Sequence, residues 1–182
     1  MNPPFNFIVI GPEDSGTNWL TWIVNQHPDV NHCKHYSYPS HRGKERHYLD
    51  LKNVSDDYKV LIVTREKWMT KVGQMRVGYA YFDPIPSDPD EANSVILKQI
   101  ENTNKEYFFV SYETLVTWKG LYLKQLFKTM GLNPKVYNYA KVPYKDGNAK
   151  YGQQLLTQEV IDKAQELKMQ EAEMDTGRQK LR

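Results

Sequence analysis

Phe5-Asn6-Phe7-Ile8-Val9-Ile10 runs directly into Gly11-Pro12-Glu13-Asp14-Ser15-Gly16-Thr17-Asn18, and a helical pattern begins at once behind it. The opening run is mostly apolar and ends at Gly-Pro, which reads as a buried strand entering a turn. From Asn18 to about Gln26, Leu20, Ile23 and Val24 recur at helical spacing until Pro28 stops the pattern. A strand, a turn and a helix in immediate succession form the setting of a phosphate loop. The turn can present successive backbone N–H groups to an anion, and the helix adds its positive end.

Outward from this stretch, Val30 to Tyr36 reads as a second, more polar strand, and Lys59 to Thr64 (KVLIVT) and Tyr107 to Tyr112 (YFFVSY) read as buried ones. Between the last two, Lys67 to Tyr81 is helical in pattern, while Asp83 to Asp90 carries three prolines and reads as an irregular exposed loop or lid. Trp118 to Met130 reads as a packed helix with Leu121, Tyr122, Leu126, Phe127 and Met130 on its apolar side and Gly131 as its stop. Thr157 to Met174 reads as an amphipathic helix, followed by a frayed polar tail, Asp175 to Arg182. Apolar strands separated by long, partly helical connections predict an α/β fold: a single P-loop-like domain over residues 1–174, with a central parallel sheet flanked by helices and right-handed crossovers.

A chain of 182 residues fits one such domain, and 40% hydrophobic with 25% charged residues is ordinary for a folded protein. A net charge of +2 gives no support to nonspecific nucleic-acid binding, so no nucleic-acid partner is expected. Cys33 is the single cysteine, which rules out an internal disulfide and a cysteine zinc cluster and suits a reducing, cytoplasmic setting. No apolar run approaches the roughly 20 residues of a membrane span, and Met1-Asn2-Pro3-Pro4 does not open like a secretory leader. No membrane partner is therefore expected.

The loop has the frame GxxxxGK(S/T), but Thr17 replaces the lysine and Asn18 the magnesium-binding hydroxyl. The equipment for a magnesium nucleotide is missing, which disfavours a small P-loop kinase. Ser15-Gly16-Thr17-Asn18-Trp19-Leu20 resembles the 5′-phosphosulfate loop of the sulfotransferases, enzymes that use 3′-phosphoadenosine 5′-phosphosulfate (PAPS). Lys59 to Arg65, KVLIVTR, resembles the strand whose terminal arginine binds the donor 3′-phosphate in that family. Phe109 to Val116, FVSYETLV, resembles the family's strand-end Tyr-Glu-x-Leu, and MGLNP, Met130 to Pro134, resembles the end of its next helix. Gly-Pro-Glu-x-Ser-Gly-Thr with the later His35-Tyr36-Ser37-Tyr38-Pro39 is similar to divergent bacterial and viral members. The resemblance implies transfer of a sulfuryl group from PAPS, with no metal, to a hydroxyl or amine of a small molecule or glycan. Ser15, Gly16, Thr17 and Asn18 would cradle the phosphosulfate, Trp19 would stack on adenine, Arg65 would bind the 3′-phosphate and Tyr112 would line the site. Each has an alternative, Trp19 as core, Arg65 as a surface charge and Tyr112 as a packing residue; for Arg65 the carboxyl end of a parallel strand favours the ligand role, and for Tyr112 the two stand nearly level.

Asp14 stands where the family has a lysine or arginine, Gly73 with Gln74 beside it stands where the family has a serine, and no late Arg-Lys-Gly segment is present. An acidic side chain facing an anionic donor would be repelled, so Asp14 is expected to point away. Lys34, Lys67, Arg76 and Lys150 are the candidates for the missing charge. The alternative to the enzyme is a catalytically inactive nucleotide-binding or interaction domain on the same fold. If the chain is an enzyme, an imidazole suits removal of the acceptor proton, with His35 the first choice and His41 the second. Metal binding by His32, Cys33, His35, His41 and His47 is disfavoured, because strand alternation turns His32 and Cys33 to opposite faces. Arg42, Lys44 and Arg46 read as a solvated loop or as contacts for an anionic acceptor.

Overall fold

In the computed structural model, residues 4–42, 45–77, 88–144 and 146–147 are described. Strand β1 (Phe5–Pro12) leads into helix α1 (Thr17–Asn25) and strand β2 (Val30–Tyr38), followed by the antiparallel hairpin β3 (Ser40–Arg42) and β4 (Glu45–His47). A short 3-10 turn, Leu51–Asn53, precedes strand β5 (Tyr58–Thr64), then helices α2 (Lys67–Val77) and α3 (Pro89–Glu101), strand β6 (Tyr107–Ser111) and helix α4 (Tyr112–Thr129). The main sheet has the order β2-β1-β5-β6, and every pairing in it is parallel. The segments Phe5 to Ile10, Lys59 to Thr64 and Tyr107 to Tyr112, expected as strands of a central parallel sheet, supply β1, β5 and β6.

Period-two alternation divides the core between the two faces of this sheet. Phe7, Val9, Cys33, Leu61 and Val63 pack with Leu20, Ile23 and Val24 of α1 and Leu115, Leu126 and Phe127 of α4. Ile8, Ile10, Val60 and Ile62 pack on the other face with Ala92, Ile96 and Ile100 of α3. The β1-α1-β2 unit thus leaves to one side with its helix on one face, and β5-α3-β6 leaves to the other side with its helix on the opposite face. Reversing both direction and face preserves the hand, so the two units share one.

Several boundaries differ from the sequence reading. Residues 83–87 of the expected loop lie outside the described residues, but Asp88 to Asp90 are not irregular. The Asp88 carboxylate accepts the Asp90 N–H and caps α3, whose first residue is Pro89. Proline is at home there because its missing N–H has no helical partner to lose. The second strand continues to Tyr38. Tyr112 belongs to α4 rather than to β6, because the Ser111 hydroxyl caps that helix by accepting the Thr114 N–H at 3.2 Å. Nor is β6 a buried strand: it is one of the two edge strands of the described sheet, with Val110 buried and Tyr107 and Phe109 46% and 50% exposed. Helix α4 begins six residues before Trp118 and is broken at Lys119 (φ 52°, ψ −125°), and Leu121 is exposed rather than packed. It ends as expected: the Leu132 N–H donates to the Phe127 carbonyl and the Gly131 N–H to the Lys128 carbonyl.

The chain divides into two compact units, Met1–Lys145 and Asp146–Arg182. The sheet and its helices belong to the first. The expected helix Thr157 to Met174 and tail Asp175 to Arg182 lie outside the described residues. Among the described residues no helix is long and apolar enough to cross a membrane.

Candidate anion-binding site

The connection after β1 crosses to one face of the sheet and the connection after β5 to the other. Between their carboxyl ends the chain leaves the crevice in which open α/β sheets bind ligands. The loop Pro12–Gly16 closes one side of it, and Arg65, the residue after β5, stands on the other.

Within the loop, the Ser15 N–H donates to the Pro12 carbonyl at 3.0 Å, closing a turn in which Asp14 has φ 60°. Gly16 comes next with φ 99°, a left-handed conformation that a side chain would strain, and a Cβ there would meet the Tyr112 ring at 2.9 Å. A Cβ on Gly11 would lie 2.5 Å from the Ser15 Oγ and 2.8 Å from the Val63 carbonyl oxygen, so the loop can fold back over the end of β1 only above a glycine. Gly16 is the N-cap of α1 and gives it no side-chain cap. The first N–H groups of a helix have no partner inside it, so Thr17, Asn18 and Trp19 offer theirs outward along the positive end of the dipole. The Ser15 hydroxyl is fully buried and has no hydrogen-bond partner among the described residues. A buried polar atom without a partner is uncommon in a native protein.

Tyr112 joins the two sides of the crevice. Its ring touches the Gly16 position, meets the Trp19 ring edge-on at 5.6 Å and carries the Arg65 guanidinium over its face at 4.4 Å. One Arg65 nitrogen, Nη1, donates to the Asp14 carbonyl at 2.6 Å and lies 3.3 Å from the Asp14 carboxylate. Arg65 is therefore no surface charge: its side chain is 4% exposed and that of Asp14 is 22% exposed. The acidic residue that clashed with an anion on sequence grounds is turned to a buried cation. Ser15, Gly16, Trp19, Arg65 and Tyr112 thus come together. Thr17 is buried in the first turn of α1, and Asn18 is exposed beside it.

Helix α2 turns a polar row inward that the sequence reading largely missed. Thr70, Lys71 and Gln74 are all buried. The Gln74 amide donates to the Glu13 carbonyl at 3.0 Å, fixing α2 to the loop, and its Oε1 has no partner among the described residues. Burial lowers the Lys71 pKa below the usual lysine value, opposed by Asp88 and Asp90 and assisted by Lys67. The signal was the three-residue spacing of Lys71 and Gln74, which places them on one helical face.

The other candidates stand apart. His35 is exposed on β2, opposite Val9 in the register, while the loop leaves after Pro12, opposite Tyr38. Three residues of strand place it about 10 Å back from the carboxyl end. His41 lies on β3, and its side chain, like those of Arg42 and Arg46, is outside the described residues, as is all of Lys44. Lys34 lies over the Tyr58 ring, and Lys67 pairs with Asp90 at 2.6 Å. Arg76 lies in α2 with its side chain outside the described residues, as is the whole of Lys150. His32 meets the Tyr58 ring edge-on while Cys33 packs in the α1 core.

No protein-family model matches the chain, and no curated protein matches it either.

Proposed function

We propose that the chain binds PAPS in the crevice between β1 and β5 and transfers its sulfuryl group to a hydroxyl or amine of a small molecule or glycan. The observation that carries this reading is the uncapped start of α1 beside the buried, unpartnered Ser15 hydroxyl at the carboxyl end of β1. PAPS supplies an activated sulfuryl group. The Gly16, Thr17 and Asn18 N–H groups and the Ser15 hydroxyl hold the charged end of the donor, as fixed dipoles aimed at spreading charge. Arg65 is the cation for the 3′-phosphate, and Trp19 flanks the base. His35, or else His41, takes the acceptor proton as the new oxygen–sulfur or nitrogen–sulfur bond forms and the sulfur–oxygen bond to the donor's 5′-phosphate breaks, releasing adenosine 3′,5′-bisphosphate. A base at His35 requires an acceptor group brought to β2, an edge strand of the described sheet, three residues back from its carboxyl end. A cytoplasmic setting belongs to this reading and suits the buried thiol of Cys33, whose pKa burial pushes up to about 12.

A second reading, a nucleotide-binding domain without turnover, is favoured by one specific observation: Asp14 stands where a cation is wanted and engages Arg65. Calorimetry with adenosine 3′,5′-bisphosphate, then incubation of labelled PAPS with a panel of hydroxyl and amine acceptors, separates the two. The enzyme binds the bisphosphate and labels an acceptor. Binding without labelling leaves the second reading, and no binding at millimolar nucleotide removes both.

A further inference from the structure

We propose that the Asp14 carboxylate holds the place on Arg65 that a second phosphate of the ligand would take, so that Asp14 sets how strongly the site prefers a doubly phosphorylated nucleotide. This rests on the proposed function, in which the ligand is an adenine nucleotide carrying a 3′-phosphate. The described contacts of Arg65 include the Asp14 carbonyl at 2.6 Å, the Asp14 carboxylate at 3.3 Å and the Tyr112 ring, over whose face the guanidinium lies. Two neighbouring acidic side chains are committed to backbone: Glu113 accepts the Glu66 N–H at 3.0 Å, and Glu66 accepts the Met69 N–H at 2.7 Å. Among the described contacts, Asp14 is the carboxylate that meets the guanidinium.

Guanidinium pairs with carboxylate and phosphate through the same planar donors, so the two anions compete for one seat. The buried partner of the pair is the arginine, at 4% exposure, while the Asp14 carboxylate at 22% already reaches water. A phosphate can therefore exchange with the carboxylate by a side-chain rotation at Asp14, leaving the carbonyl contact and the ring contact in place. A nucleotide with a single phosphate at the α1 start leaves the pair intact. A nucleotide with a second phosphate must break it, and Asp14 opposes only that step.

Asp14→Asn isolates the charge, since asparagine keeps the shape and is among the residues most at ease at φ 60°. Binding of adenosine 5′-phosphate and of adenosine 3′,5′-bisphosphate is measured by calorimetry at fixed ionic strength for wild type, Asp14→Asn and Arg65→Lys. Asp14→Gly is a second variant, and thermal melts establish that each is folded. In Asp14→Asn the bisphosphate tightens about tenfold or more, as for a charge-assisted hydrogen bond gained, while the monophosphate stays within about twofold. In Arg65→Lys the preference for the bisphosphate shrinks. Equal shifts for both nucleotides, or no shift, overturn the proposal while leaving the nucleotide site standing. Failure of wild type to bind either nucleotide removes the site and the proposal together.

Discussion

At the carboxyl end of α1 buried polar groups are tied off, whereas at its amino end they are left open. His27 is almost fully buried between Phe127 and Tyr137, and it accepts the Asp29 N–H at Nδ1 and donates from Nε2 to the Asn133 carbonyl. Asn25 clasps β2 by exchanging two hydrogen bonds with the Cys33 backbone, and the Tyr137 hydroxyl donates to the Ile23 carbonyl. At its other end the helix starts without a side-chain cap, over a serine hydroxyl that has no partner among the described residues. Unpaired buried polar groups cost stability, so one end holds the fold and the other carries the unspent hydrogen bonds on which the proposed nucleotide site rests.

The largest effect should come from removing the aromatic wall of the closed end. Phe127→Ala should cost about 3–5 kcal/mol of stability by chemical denaturation, as emptying a fully packed aromatic site does. A loss below about 1 kcal/mol would mean that the closed end is not what secures α1.

His27→Leu comes next. It keeps the volume but orphans the Asp29 N–H and the Asn133 carbonyl, for a cost of about 1–3 kcal/mol. The variant also has a pH signature. Burial lowers the His27 pKa below its ordinary 6.5, against smaller upward pulls from Asp29 and the Asn133 carbonyl. The unfolded chain therefore takes up the proton first as pH falls. The stability from neutral His27 is fully present above that ordinary value and is lost as pH drops below it towards the lowered folded value. Denaturation midpoints between pH 7 and pH 5 should fall more steeply in wild type than in His27→Leu. Matching slopes would show that some other group carries the acid sensitivity.

The open end should respond with the opposite sign. Ser15→Ala removes a hydroxyl that no described group engages, so stability should hold within about 0.5 kcal/mol or rise, while affinity for adenosine 3′,5′-bisphosphate falls about three- to tenfold. Should Ser15→Ala destabilise the protein as much as His27→Leu does, the hydroxyl belongs to the scaffold and the contrast between the helix ends fails.

The sequence showed β1, α1 and β5 clearly because their apolar runs are buried and bounded by Gly-Pro or by a change of period. It misjudged β6 because YFFVSY has the composition of a central strand, and composition does not record whether a neighbour exists on the far side. It missed α3 because the prolines before it read as a break, although Pro89 with Asp88 ahead of it is a helix start. In the site, the glycine spacing marked the loop and the strand end marked Arg65. The Asp14–Arg65 contact was not legible: it depends on a left-handed residue turning a carboxylate across a gap of 51 positions. Gln74 was noticed for its position beside Gly73, but its bond to Glu13 depends on how α2 docks. No local pattern encodes that.

Strand β1 pairs on one side with β2, which comes soon after it in the chain, and on the other with β5, as Asn6 against Tyr58. During synthesis β2 is complete at Tyr38, but β5 is complete only at Thr64, 26 residues later and about 1–5 s behind at ordinary ribosomal speeds. For that interval a nascent chain can hold β1, α1 and β2 together while the other long edge of β1 waits unpaired. The same Ile8 and Ile10 that later lie beneath α3 are uncovered on that face until α3 has been made.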